Sequence, residues 1–223
     1  MVKLAILDVD GTLTDSSRRI GESAITAIRK AQDNGKIISL VSGNVIPVMY
    51  ALQIYIGIEY EVFAENGGVM YYRNRIEKYF EKQKTEEFLS HIAEFTSARG
   101  IFTNVWRYSS MAFEMNIEDI ETVRTESSRW NLDITDSGFS WHVLNKGQNK
   151  GYALKKLMEL HNVEKEEVLV VGDSKNDLSM FVEGVNRSTV KNGDPVLKEV
   201  SDYISPGKNG EAIPDIFRKF SLI

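Results

Sequence analysis

Three short apolar runs in the first third of the chain, residues 2–7, 37–41 and 62–64, are separated by stretches with helical spacing. Ala24, Ile25, Ile28 and Ala31 recur at the helical period, and Gly35 follows as a stop. Residues 45–56 read as a second helix, with Pro47 tolerable in its first turn and Gly57 at its end. Apolar runs of strand length, alternating with helices, are the signature of parallel strands joined by right-handed crossovers. The third run closes on Glu65-Asn66-Gly67-Gly68, a turn that launches a short hairpin strand over 69–72.

The pattern then changes. Thr85 is placed to cap a helix whose first turn holds Glu86 and Glu87 and whose apolar stripe is Phe88, Leu89, Ile92 and Ala93. Two strand-like segments follow, 101–107 and 110–116, joined by Tyr108 and Ser109. A helix over about 119–130 precedes a hairpin made of 132–135, a turn at Asp136-Ser137-Gly138, and 139–144. There Phe139, Trp141 and Val143 alternate with Ser140, His142 and Leu144, as in a sheet with one covered face. From Asn149 the first pattern resumes, with a helix over 152–160 and the strongest strand signal of the chain at Val168-Leu169-Val170-Val171. The predicted fold class is α/β. A doubly wound, Rossmann-like parallel sheet over 1–82 and 149–223 carries an inserted α+β cap over 83–148, an antiparallel sheet with two helices.

Composition removes several function classes. The chain has no cysteine, which excludes disulfides, thiolate nucleophiles and cysteine zinc sites. A net charge of −5 without basic clusters argues against nucleic acid and anionic membranes as partners. No apolar run approaches the ~18 residues of a membrane span, and the chain enters a strand within two residues, leaving no room for a signal peptide. A cytoplasmic protein, monomer or homodimer, is expected.

Polar clusters sit where the predicted strands end. Asp8-Val9-Asp10-Gly11-Thr12 follows the first run, Ser42-Gly43-Asn44 the second, and Gly172-Asp173-Ser174-Lys175-Asn176-Asp177 the strongest; Lys150 opens the helix after the insertion. Two carboxylates two residues apart at a strand end build a poor core. They can hold a hard divalent cation and aim an oxygen nucleophile at phosphorus. In open α/β sheets, ligands bind outside the carboxyl ends of the strands. Each cluster alone is more often a turn, a helix cap or a solvated side chain; their joint occurrence in this order is what points to a site. There is no phosphate-binding P-loop, no dinucleotide-binding glycine fingerprint and no Gly-x-Ser-x-Gly elbow.

Taken together the clusters resemble the four motifs of the haloacid dehalogenase (HAD) superfamily of phosphatases: Asp8 to Thr12, Ser42, Lys150, and Gly172-Asp173-Ser174-x-Asn176-Asp177. Met180, Asn66-Gly67-Gly68 and an insertion between the second and third motifs are similar to the Cof-type branch, subclass IIB. The resemblance implies a Mg²⁺-dependent phosphatase acting on a small phosphorylated metabolite. Asp8 is the expected nucleophile and Asp10 the acid and base. Ser42, Gly43, Lys150 and Asn176 are the expected phosphate ligands. Asp8, the backbone carbonyl of Asp10, and Asp173 are the expected metal ligands, with Asp177 either a fourth or a group that orients them. The compact cap and the Ser-Gly-Asn form look most like archaeal-type phosphoglycolate phosphatases, which makes 2-phosphoglycolate the leading substrate and phosphorylated sugars the next.

Two departures stand out. Asn44 occupies a position where many relatives carry arginine, so no charge-recognition role is assigned to it. Residues 185–190 are more polar than the strand usually found there, and Arg187 reads as an exposed edge-strand residue. Trp106, Trp130 and Trp141 are expected in the cap core, while Trp106-Arg107 and His142 are candidates for the cap surface facing substrate. Phosphotransfer to an acceptor other than water would use the same aspartyl-phosphate. A receiver-like signalling module fits less well, because its acceptor follows the third strand and it has no cap. A catalytically dead binding module conflicts with the joint presence of Asp8, Asp10, Lys150 and Asp173.

Overall fold

A computed structural model describes residues 1–223. The first strand, β1 (Leu4–Leu7), is wholly buried. Alternation sends Leu4 and Ile6 into one hydrophobic cluster, and Ala5 and Leu7 into another on the opposite face. A strand covered on both sides must be apolar at every position, which is why its sequence is continuous.

The first unit continues with α1 (Glu22–Asp33), β2 (Ile37–Val41), α2 (Ile46–Ile56), β3 (Val62–Ala64), β4 (Val69–Tyr72) and β5 (Arg75–Lys78). The helix α2 ends at Gly57, whose φ of 88° is the left-handed cap conformation that glycine takes without a side-chain clash. The cap follows: α3 (Gln83–Ile92), β6 (Arg99–Gly100), β7 (Met111–Glu114), α4 (Ile120–Arg129), β8 (Leu132–Asp136) and β9 (Trp141–Asn145). The chain then returns through α5 (Lys150–His161), β10 (Val168–Gly172), β11 (Asn186–Thr189), α6 (Pro195–Glu199), β12 (Tyr203–Ile204) and α7 (Ile213–Lys219).

The large sheet has the order β12-β11-β10-β1-β2-β3-β4-β5, parallel from β12 to β3 and antiparallel beyond. Residues of α1, α2 and α7 join the cluster on one face, and residues of α5 and α6 join the other. This is the doubly wound α/β architecture expected from the sequence. The separate antiparallel sheet, ordered β6-β7-β9-β8, packs on Phe88, Leu89 and Ile92 of α3 and Val123 of α4.

Four local expectations fail. Residues 101–107 are not a strand: Phe102–Trp106 forms a 3-10 turn. The Asn104 side chain replaces the missing ladder, donating to the Ala112 carbonyl at 2.8 Å and accepting from the Ala112 N–H at 2.8 Å. Trp106 consequently lies 45% exposed instead of in the cap core, while Trp130 and Trp141 do pack there. Thr85 does not cap α3; it is buried inside the first turn and its hydroxyl donates to the Lys82 carbonyl. Arg187 is not on an edge strand, because β12 pairs outside β11, and its guanidinium forks onto both carboxylate oxygens of Asp202.

Candidate active site

Register brings the polar clusters together. Leu7 of β1 lies opposite Val171 of β10 on one side and Leu40 of β2 on the other. The residues that follow these three parallel strands therefore emerge side by side, with Asp8 and Asp10 between Asp173 and Ser42. The Asp8 N–H extends the ladder by one more bond, to the Val171 carbonyl at 2.9 Å.

Lys150 stands at the start of α5, which Asn149 caps by accepting from the Tyr152 N–H. Lys150 is 2% exposed, and its ammonium donates to Asp8 Oδ1 at 2.5 Å and to Asp177 Oδ1 at 2.6 Å. Asp177 is fully buried, and its Oδ2 accepts from the N–H groups of Asp173 and Ser174 and from the Ser174 hydroxyl. Both its oxygens are thus engaged in holding Lys150 and the loop after β10. Gly172 must lack a side chain, since a Cβ there would overlap the Asp177 carboxylate. Gly11 is constrained twice, by a φ of 89° and by the Asp173 carboxylate, which a Cβ would overlap.

Asp10 belongs to a second network. Its Oδ2 accepts from Asn44 Nδ2 at 2.6 Å and from the Ser42 hydroxyl at 3.4 Å, and Asn44 also donates to the Ser42 hydroxyl at 2.9 Å. Asn176 donates to Asn66 Oδ1 at 2.8 Å, which ties the loop after β10 to the turn after β3. Sequence reading assigned no role to Asn44, and it took residues 65–68 as a turn whose Asn66-Gly67-Gly68 resembles the Cof-type branch, without assigning a partner to Glu65 or Asn66. Their partners lie far along the chain, and the one local signal was an amide two residues after Ser42 at a strand end.

Electrostatics are dominated by burial. Burial pushes the Asp8 carboxyl well above its ordinary range, and Asp177 and Asp173 add to the rise against the opposing pull of Lys150. Asp173 is pushed up to about 6 by burial and by Asp177. Burial alone would lower Lys150, but Asp177 and Asp8 more than offset it and hold the ammonium above its ordinary value. Oxygens of Asp8, Asp173 and Asp177 lie within 4.8 Å of one another, with one ammonium among three carboxylates. Burying unbalanced negative charge is costly. A hard divalent cation with oxygen ligands relieves that cost, so the donor set fits Mg²⁺ in chemistry.

The site opens into a cleft of about 240 Å³ between the strand ends and the cap. The core contributes Asp8, Asp10, Ser42, Gly43, Asn44, Lys150 and Asn176, and the cap contributes Phe102, Thr103, Arg107, Phe139 and His142. Of the cap candidates named from sequence, Arg107 and His142 line the cleft and Trp106 does not. The cap is anchored by Glu65, fully buried at the end of β3. Its Oε1 accepts from the Tyr108 N–H, and its Oε2 from the N–H and hydroxyl groups of Ser109 and Ser110.

The haloacid dehalogenase-like hydrolase family model matches residues 5–135 and 110–217. A phosphoglycolate phosphatase of Picrophilus torridus is 49% identical over the whole chain and 93% of its own length. One of Thermoplasma volcanium is 46% identical over the whole of both chains. A crystal structure from Thermoplasma acidophilum superposes with a TM-score of 0.97 at 44% identity, covering all of both chains. The HAD subclass IIB sugar phosphatase BT4131 shares the fold, with a TM-score of 0.84 at 17% identity over all of both chains. With the motif clusters gathered at the carboxyl ends of the central strands and relatives matched along its full length, the chain belongs to the haloacid dehalogenase-like hydrolases, in the Cof-type branch, and is a phosphatase.

Proposed function

We propose that this phosphatase hydrolyses 2-phosphoglycolate to glycolate and phosphate through an aspartyl-phosphate on Asp8, with Mg²⁺ as cofactor. The observation that carries the reading is the pairing of two networks. Asp8 is fixed by Lys150, and Asp10 is fixed separately by Asn44 and Ser42.

In the first step a carboxylate oxygen of Asp8 attacks phosphorus, and the bond to the leaving oxygen breaks as Asp10 donates a proton to it. In the second, Asp10 takes a proton from water, the water oxygen attacks phosphorus, and Asp8 leaves as a free carboxylate. Asn44 and Ser42 occupy Asp10 Oδ2, which leaves Oδ1 for the proton in both steps. Lys150, the Ser42 hydroxyl, the Gly43 N–H and Asn176 supply positive charge and donors for the phosphoryl oxygens. The carboxylates of Asp8 and Asp173 and the backbone carbonyl of Asp10 would hold Mg²⁺, which would offset charge on the phosphoryl group. Asp177, with both oxygens engaged by Lys150 and by backbone N–H groups, orients this set from behind.

The substrate rests on two supports. The relatives from Picrophilus torridus and Thermoplasma volcanium carry the name phosphoglycolate phosphatase. The cleft of about 240 Å³ is also small beside the ~300–1,000 Å³ of ordinary ligand pockets, which suits a two-carbon monoester. Residues 1–82 and 149–223 would form the catalytic core and 83–148 the cap that closes the cleft.

The test is phosphate release from 2-phosphoglycolate, sugar phosphates and an aryl phosphate, with Mg²⁺, with chelator, and with Asp8→Asn. Turnover that needs Mg²⁺, is greatest on 2-phosphoglycolate and disappears in Asp8→Asn is expected. Turnover that survives in Asp8→Asn would remove the nucleophile.

A further inference from the structure

Arg107 presents an imbalance that the phosphoryl chemistry leaves unused. It sits on the cap side of the cleft, 6% exposed, and takes part in no ion pair. Its guanidinium donates to the Ser110 hydroxyl at 3.0 Å and, at 3.3 and 3.4 Å, to the Gly43 carbonyl. Its Nε–H has no partner at all. The nearby buried carboxylate, Glu65, steadies the charge but meets it only through the shared Ser110 hydroxyl. Every direct partner of this buried guanidinium is therefore a neutral oxygen, and an anion bonded to it directly would lower the cost of its burial.

The same wall carries a second unpartnered nitrogen. His142, 3% exposed, has no partner for Nδ1, while its Nε2 lies within hydrogen-bond distance of the Ser137 and Ser140 hydroxyls. Burial, with Arg107 and Lys150 nearby, holds this imidazole well below its ordinary pKa, so it is neutral and does not compete as a charge. Its Cε1 lies about 3.5 Å from where a Cβ on Gly43 would stand, so Arg107 and His142 both pack against Gly43. The other cleft arginine, Arg18, is exposed and lies over the Phe139 ring, 4.5 Å from its centroid.

We propose that Arg107, with His142 beside it, is the specificity residue that receives a carboxylate on the leaving-group end of the substrate. The proposal rests on the phosphatase reading above and names the residue that would select phosphate monoesters of short hydroxy acids, 2-phosphoglycolate among them. The phosphoryl end already has Lys150, Ser42, Gly43 and Asn176 on the core side, whereas Arg107 faces the cleft from the cap. A planar guanidinium fork matches the two oxygens of a carboxylate. Its orientation is pre-set: Glu65 binds the Ser110 hydroxyl, and the same hydroxyl accepts from Arg107.

The experiment compares 2-phosphoglycolate with 2-hydroxyethyl phosphate, which replaces the carboxylate by a hydroxymethyl group of similar size. Steady-state kinetics of the full chain with Mg²⁺ are measured for wild type, Arg107→Gln and Arg107→Lys. Hydrogen bonds to charged groups are worth enough that Arg107→Gln should raise KM for 2-phosphoglycolate about 10- to 100-fold, with kcat within about threefold. On 2-hydroxyethyl phosphate its kcat/KM should change less than about threefold, and Arg107→Lys should fall between wild type and Arg107→Gln on the acid only. Equal losses on both substrates, or no loss on either, would overturn the assignment. Wild type supplies an arm that does not depend on how the variants fold: glycolate should inhibit at least about tenfold better than ethylene glycol, and equal inhibition counts against the carboxylate site. If wild type turns over other phosphorylated hydroxy acids but not 2-phosphoglycolate, the substrate reading alone fails. The Arg107 comparison is then made on the preferred acid and its alcohol analogue.

Discussion

Glu65 offers the sharpest energetic test of how the cap is held. It is fully buried, at a φ of 51°, and accepts five hydrogen bonds from a segment 43 to 45 residues away. Replacement by alanine removes every acceptor at once. The two hydroxyls can turn elsewhere, although the Ser109 hydroxyl also accepts from Gln148 and the Ser110 hydroxyl from Arg107. The three N–H groups of Tyr108, Ser109 and Ser110 cannot turn. Each stranded buried donor costs roughly 1–3 kcal/mol, so Glu65→Ala should lose about 3–9 kcal/mol of unfolding free energy, a large share of a domain's ~5–15 kcal/mol. Glutamine is a milder change. Its oxygen can keep the four donors on Oε2, and its NH₂ then faces only the Tyr108 N–H at the Oε1 position, so about 1–3 kcal/mol should be lost. Urea unfolding gives the three stabilities. Amide exchange at 108–110 reports locally, because those three protons should lose protection in Glu65→Ala before the strands of the large sheet do. Stabilities within 1 kcal/mol of one another, or glutamine costing as much as alanine, would refute the claim that this carboxylate anchors the cap.

Two further outcomes follow from other networks. Asn44→Ala removes the 2.6 Å donor to Asp10 but leaves the weaker Ser42 contact, so kcat should fall roughly 10- to 100-fold with little change in KM, measured by phosphate release. Burial would raise the Glu61 carboxyl, but hydrogen bonds from His161 and from its own backbone win and hold it below its ordinary value of 4.5. A depressed carboxyl stabilises the fold above its unfolded pKa and loses that contribution as pH falls through its folded pKa. The stability gap between wild type and Glu61→Gln should therefore be present at pH 7 and close below about pH 4.5 in urea melts, and a gap that widens in acid would contradict the pairing.

What could be read from the sequence divides by the range of the forces involved. β1, β2 and β10 were legible because strands covered on both faces are apolar almost throughout, the one polar side chain, Ser39 of β2, being buried with its hydroxyl on the Glu61 carbonyl. Once those three are adjacent and parallel, the residues after their carboxyl ends have nowhere to be but together, so Asp8, Asp10, Ser42 and Asp173 were readable as one group. Lys150 was legible because a helix must start there after the insertion. The cap was harder. Ile101 to Trp106 carries the β-branched and aromatic side chains of a strand, yet the Asn104 amide satisfies the Ala112 backbone and frees the segment to turn. No propensity scale registers a side chain that imitates a backbone neighbour.

The polar partnerships that were not read share one cause, and that cause connects anchoring to chemistry. Glu65, Asn66 and Asn44 lie in turns whose local sequence is satisfied by a turn alone, and their partners are set by tertiary packing. Glu65 cannot be an idle turn residue, since a fully buried carboxylate survives only where donors surround it, and the donors that surround it all belong to the cap. The residue just before those donors is Arg107, and the residue two before Glu65 in the sheet, Phe63, accepts from the Ser42 N–H that leads into the Asp10 network. One strand end therefore positions Ser42, beside Asp10, on its core side and the segment that follows Arg107 on the other. A change in how the cap seats should then alter which leaving groups fit before it alters the attack on phosphorus. Steady-state kinetics of Glu65→Gln can decide this: KM for a carboxylate-bearing substrate should rise while kcat on a neutral monoester holds, and the reverse order would separate the anchor from the site.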